Sequence, residues 1–313
     1  MTDIDDVDID VLEQIQQRLL WLAVRIVDSA NHDRKPDEVK VGGHQASSAS
    51  MVGIMTALWF AHLSGNDKVA VKPHASPVFH AIKYLTGELD RSYLTTLRSF
   101  GGLQAYPSRT KDPDVADFST GSVGLGVVAP LFAAATRRYI DAHFRAPSPD
   151  GGAPTRARFI ALAGDAELDE GNVWEAIADP SLRGLGNVMW VIDTNRQSLD
   201  RVVPEQKIKK LIDFFKGADW HVVEAKYGAK LHEAFARPGG NLLREYIDAM
   251  PNEEYQSMFA LTGAALRERF TAGADPRLIQ FLGQWNDDEI GPLVQNLGGH
   301  DLGPLVAHQP GNG

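Results

Sequence analysis

Two short apolar runs constrain this chain more than any other feature. RFIALA (158–163) and NVMWVID (187–193) are apolar almost throughout rather than alternating, and they flank a helical stretch at 168–182. A strand with no polar face belongs inside a sheet covered on both sides, and strand–helix–strand order makes that sheet parallel. A third unit is expected from a helix at 206–216 and a strand at 220–226, WHVVEAK. The expected fold class is α/β: a doubly wound, mainly parallel sheet with helices on both faces. Such sheets bind ligands beyond the carboxyl ends of their strands. The residues just after 163 and 193 are therefore the first place to look for chemistry.

The rest of the chain can be arranged around this sheet. Leu12, Ile15, Leu19, Leu22 and Ile26 recur at steps of three and four, an amphipathic helix over 8–30. An apolar helix is expected over 47–63, a strand at 69–72, and helices near 77–86 and 90–99. The glycine-rich STGSVGLG (119–126) leads into an alanine-rich helix ending about Phe144, and APSPDGGAPTRA (146–157) reads as a loop. Residues 228–306 look helical. The expected organisation is an N-terminal helix and lead-in (1–40), an α/β domain (41–306) and a disordered tail (307–313).

Charge and composition remove several function classes. The chain has 31 basic and 41 acidic residues, a net charge of −10, which argues against nucleic acid as a partner. It has no cysteine, so disulfides, thiolate metal sites and cysteine nucleophiles are excluded. No apolar run reaches the length of a membrane span. The acidic start, MTDIDDVDID, lacks a signal-peptide pattern, so a cytoplasmic enzyme or enzyme subunit is expected.

At the strand tips stand Gly164-Asp165-Ala166-Glu167 and Asp193-Thr194-Asn195-Arg196-Gln197. A right-handed crossover brings Asp165 and Asn195 to one sheet edge. A carboxylate, an amide oxygen and a backbone carbonyl make a hard oxygen site, suited to magnesium or calcium rather than zinc. Backbone N–H groups after Gly164 suit a phosphate. Taken singly, Asp165 could be only a helix cap and Asn195 only a turn residue. Their joint spacing across one β-α-β unit favours a magnesium-bound diphosphate.

The run GDAELDEGNVWEAIADPSLRGLGNVMWVIDTN resembles the thiamine-diphosphate motif, with Ala166 where that motif usually has glycine. GGHQAS (42–47), KPHASPVFHAIKYL (72–86), LQAYPS (103–108), TGSVGLG (120–126), DTNRQSLD (193–200), FKGADWHVV (215–223) and NLGGHD (296–301) extend the likeness. Together they resemble the bacterial homodimeric type of pyruvate dehydrogenase first component, within the transketolase superfamily, over residues 8–306. The part resembled is the N-terminal, diphosphate-binding domain.

The resemblance implies roles. Asp165 and Asn195 would ligate magnesium through their side chains and Gln197 through its carbonyl. Gly164, Ala166 and Glu167 belong to the cofactor-binding turn. Ser47 and His74 match positions at the diphosphate and reacting centre, His44 a histidine near the thiazolium, and Tyr106 a tyrosine facing the substrate. Gly121 and Val123 match the loop that holds the aminopyrimidine ring, with valine where methionine is usual. Lys72 stands where glutamine is usual. His32, His62, His221 and His232 are expected to be surface or packing residues, and His80 is open between packing and function. Trp174 and Trp190 are expected in the core, and Lys207, Lys209 and Lys210 on a solvated helix face.

No candidate is found for the glutamate that activates the aminopyrimidine ring, which the family carries on a pyrimidine-binding domain. The chain is therefore expected to be inactive alone. It would be one subunit of a split enzyme, assembled as a dimer of heterodimers, or part of a longer homodimeric chain. The substrate reading is a 2-oxo acid, pyruvate first. A split transketolase acting on ketose phosphates, favoured by Lys72, and a non-catalytic scaffold remnant, favoured by Ala166, are the alternatives.

Overall fold

The computed structural model describes residues 7–33, 42–144, 157–194, 197–198, 201–202 and 206–307. The chain divides into two compact units, the first running to Val223 and the second spanning Glu224–His308.

The first unit is built on a parallel sheet in the order β1 (Lys68–Ala70), β2 (Phe159–Gly164), β3 (Val188–Asp193). β2 is central and buried at every position, while β3 is half-buried throughout. Side chains alternate across β2 with period two. Ile160 and Leu162 join a core with α1 (Ile9–His32), α3 (Val52–Ala57) and α4 (Ser76–Leu85). Phe159, Ala161 and Ala163 join another with α5 (Leu125–Phe144), α6 (Gly171–Ala178) and Phe215 of α7 (Gln206–Gly217). The short α2 (Gln45–Ala49) precedes α3. Both faces of the sheet are covered, which is why β2 tolerates no polar residue. Trp174 and Trp190 pack partly buried against the second core.

Local rules account for the boundaries. The Asp8 carboxylate caps α1 by accepting the Val11 amide at 3.2 Å. α3 runs on as a π-helical turn, Leu58–His62. β1 ends at Ala70, leaving Lys72 beyond the strand tip. Three expectations are corrected. The stretch 90–99 forms only one 3-10 turn, Arg91–Thr95. α6 is shorter than 168–182, because 3-10 turns occupy Asp165–Asp169 and Pro180–Leu182. Residues 220–226 form no strand. They have the apolar pattern but no ladder partner among the described residues, and Val223 is exposed.

The second unit is helical between Ala229 and Ala307, with one antiparallel bridge joining Tyr227 and Leu297. It has its own core, including Leu231, Leu243, Leu266, Phe270, Leu282 and Ile290.

Candidate active site at the strand ends

The three strand tips meet at one corner. Gly164 and Asp193 are register partners at the ends of β2 and β3. The Lys72 ammonium reaches across from β1 and donates to Asp193 Oδ2 at 2.8 Å. The Ser50 hydroxyl donates to the same oxygen at 2.6 Å. Both ion-pair partners are largely shielded from solvent, with side-chain exposures of 8% and 13%. Gly164 lets the lysine stem pass close, since a Cβ there would lie 3.2 Å from Lys72 Cε.

Glu167 braces this turn. Its Oε2 accepts the Gly164 amide at 3.0 Å. Burial pushes its carboxyl above the usual range, opposed by that amide bond and by the nearby Lys72 charge. Asp165 opens the 3-10 turn and is half-buried, as is Ala166 beside it. Asn195 lies outside the described residues. Gln197 is described only through its backbone, which pairs with Val202 in a two-stranded ladder.

A second corner gathers the predicted catalytic groups. The His44 and His74 rings meet edge to face at 4.4 Å between centroids, and His74 meets Tyr106 at 5.4 Å. Arg98 lies over the Tyr106 ring at 6.0 Å. Gly121 borders Tyr106, since a Cβ there would be 3.8 Å from the tyrosine Cβ. His74 is pushed down from 6.5 to about 4, first by burial, then by the positive charges of His44, Arg98 and Lys72. At neutral pH it is an uncharged imidazole, able to accept a proton on one nitrogen while donating from the other.

Local structure places these side chains. His44 is exposed immediately before α2, and Ser47 is half-buried within it. His74 rides on a 3-10 turn, Pro73–Ala75, between Lys72 and α4. Tyr106 sits on a loop that α4 holds at two points. Ser76 Oγ donates to the Ala105 carbonyl at 2.8 Å, and His80 Nε2 lies 3.1 Å from the Gln104 carbonyl. Because a carbonyl only accepts, that nitrogen carries a proton, while Nδ1 lies 2.8 Å from Asp114. This decides His80 as a buried support for the Tyr106 loop. Val123 is exposed on the glycine-rich turn, beside Gly124 with φ +81°.

The grouping brings together His44, His74, Tyr106 and Gly121, and separately Lys72, Gly164 and Glu167. Sequence reasoning missed Arg98 and Ser50 altogether. Arg98 adopts φ +60°, a left-handed backbone that no motif announces. Asp193 was legible as a strand-tip residue, but its pairing with Lys72 was not, because 121 residues separate them.

These corners define the class: a doubly wound domain whose parallel strand ends carry a Lys72–Asp193 ion pair beside a histidine cluster. Residues 37–237 match the family described as transketolase, thiamine diphosphate binding domain, and the chain belongs to that family. Among curated proteins, the pyruvate dehydrogenase E1 component of Cupriavidus necator is 32% identical over 311 residues, covering 96% of this chain and 33% of that protein. The protein of that name from Pseudomonas aeruginosa is 33% identical over 306 residues, covering 94% and 33%. The chain thus spans about a third of the length of these relatives. The fold is shared with transketolase from Leishmania mexicana, at a TM-score of 0.58 and 22% identity over 69% of this chain and 32% of that one.

The residues present suit the cofactor this family is named for. Thr120 Oγ1, Glu167 Oε1 and Asn172 Oδ1 are buried and have no hydrogen-bond partner among the described residues. Thr120 and Glu167 lie against Gly126, and Asn172 against Gly124. Buried polar atoms are normally bonded, so these three mark where a ligand or ordered water completes the turn.

Proposed function

We propose that this chain is the diphosphate-binding part of a thiamine-diphosphate-dependent 2-oxo acid dehydrogenase, with pyruvate as substrate. The observation that carries the reading is the His44–His74–Tyr106 group, which stands beside the glycine-rich turn in a chain about a third identical to pyruvate dehydrogenase E1 components over nearly its whole length. Magnesium would be held by Asp165, Asn195 and the Gln197 carbonyl, as their hard oxygen donors suit.

When bound, the thiazolium supplies an electron sink for cleavage next to a carbonyl. The chain's own residues do the rest. Neutral His74 accepts or returns a proton near the reacting carbon, and exposed His44 stabilises negative charge developing beside it. Tyr106 donates from its hydroxyl at the mouth. Glu167 holds the Gly164 turn in shape for the diphosphate.

A pyrimidine-binding domain or subunit would bring the activating glutamate. α5 supports the need for a partner: Leu125, Phe132 and Tyr139, seven residues apart, leave an apolar stripe exposed along it. Such a stripe on one helix is a partner surface rather than a solvated face. The assembly would be a dimer of heterodimers or part of a homodimer.

Calorimetric titration with magnesium and thiamine diphosphate tests the binding half of this reading, with Asp165→Ala expected to abolish uptake while the fold survives. Turnover of pyruvate against a ketose phosphate, measured on the complex isolated from the host, tests the substrate. Turnover of the ketose phosphate alone would replace the reading with a transketolase.

A further inference from the structure

Lys72 is a buried lysine whose ammonium makes one hydrogen bond, to Asp193. An ammonium has three N–H bonds, so two remain without an acceptor among the described residues. Burying such a group is costly unless it is both paired and bonded. Asp193 balances the charge, and Ser50 holds Asp193, but neither uses the remaining donors.

Their position is specific. Lys72 sits at the carboxyl ends of the three strands, and Nζ lies 3.8 Å from where a Cβ on Gly164 would stand. An ion pair that only tied β1 to β3 would explain the charge balance. It would not explain a cation with open donors at the ligand edge of a parallel sheet.

We propose that Lys72 is a diphosphate ligand, donating to a phosphoryl oxygen of the cofactor at the Gly164 turn while it keeps Asp193. This rests on the reading under Proposed function and extends it. The protein would supply a fixed cation in addition to the magnesium ion. Asp193 would hold that cation in place and lower the cost of burying it before the ligand arrives.

The test is calorimetry on the full chain with two probes, magnesium with inorganic diphosphate and magnesium with thiamine diphosphate. Lys72→Gln alone would leave Asp193 buried and unpaired, so the variant used is Lys72→Gln with Asp193→Asn, its fold checked by circular dichroism. The expected result is a loss of affinity for both probes of roughly tenfold to a hundredfold, the worth of one charge-assisted bond in a buried site. Lys72→Arg, which keeps the charge, is expected to recover most of it. A doubly substituted chain that binds both probes within about twofold of the parent, against that expected loss, overturns the proposal. So does an unchanged affinity for both probes combined with lost pyruvate turnover of the same variant in the complex isolated from the host, which would assign the ammonium to the substrate carboxylate. Failure of the parent chain to bind either probe, or binding unaffected by Asp165→Ala, would bring down the diphosphate reading itself and this proposal with it.

Discussion

The two corners of the site are built on opposite electrostatic terms. At the strand tips a buried cation is matched by a largely shielded carboxylate, with a hydroxyl holding that carboxylate in place. At the histidine corner Arg98, His44 and Lys72 all bear on His74 in the same direction, away from the protonated form. One corner spends its charges on holding position. The other leaves a neutral imidazole available for proton transfer. Compensation makes the first corner important for stability, and the lack of it makes the second responsive to pH.

The largest expected effect breaks the first corner. Asp193→Ala leaves the Lys72 ammonium buried without its partner and should cost about 3–5 kcal/mol of unfolding free energy, read from urea denaturation. A loss of less than about 1 kcal/mol would mean that the pair is effectively solvated.

Next comes the wall of the second corner. Gly124→Ala should cost about 1–3 kcal/mol, because the backbone is left-handed there and a Cβ would meet Asn172 Oδ1 at 2.7 Å. Thermal unfolding of this variant beside Gly121→Ala, where a Cβ would make only an ordinary contact with Tyr106 Cβ at 3.8 Å, separates strain from loop chemistry.

The third effect sharpens the comparison through pH. His74 titrates near 6.5 in the unfolded chain and near about 4 when folded. The unfolded state therefore binds the proton first. Stability from this group is complete above 6.5 and is lost as pH falls toward 4. His74→Gln should flatten the stability profile across that window. An unchanged slope would place His74 in a more solvated setting.

The smallest effect is electrostatic. Arg98→Ala should raise the His74 midpoint, followed by NMR, by less than about one unit, because burial rather than Arg98 is the leading cause of the depression. A full return to 6.5 would mean that the cations dominate instead.

Much of the site was legible because it is written in local runs. RFIALA and NVMWVID announced β2 and β3, and the glycines of TGSVGLG announced the turn beside Tyr106. The strand expected at 220–226 failed because a strand is a partnership, and among the described residues no ladder forms there despite the apolar pattern. The separate core of the second unit was not legible either. Leu231 and Phe270 look like any other helix positions until the chain closes around them.

The sequence by itself determined the class of sheet, since two apolar runs flanking one helical stretch within about thirty-five residues of chain suffice for it. Tertiary structure alone decided that Lys72 pairs with Asp193, that Arg98 joins His74 and Tyr106, and that His80 supports the Tyr106 loop rather than the reaction. Those outcomes depend on distances between segments far apart in sequence. Charges and rings acquire partners only when folding fixes those distances.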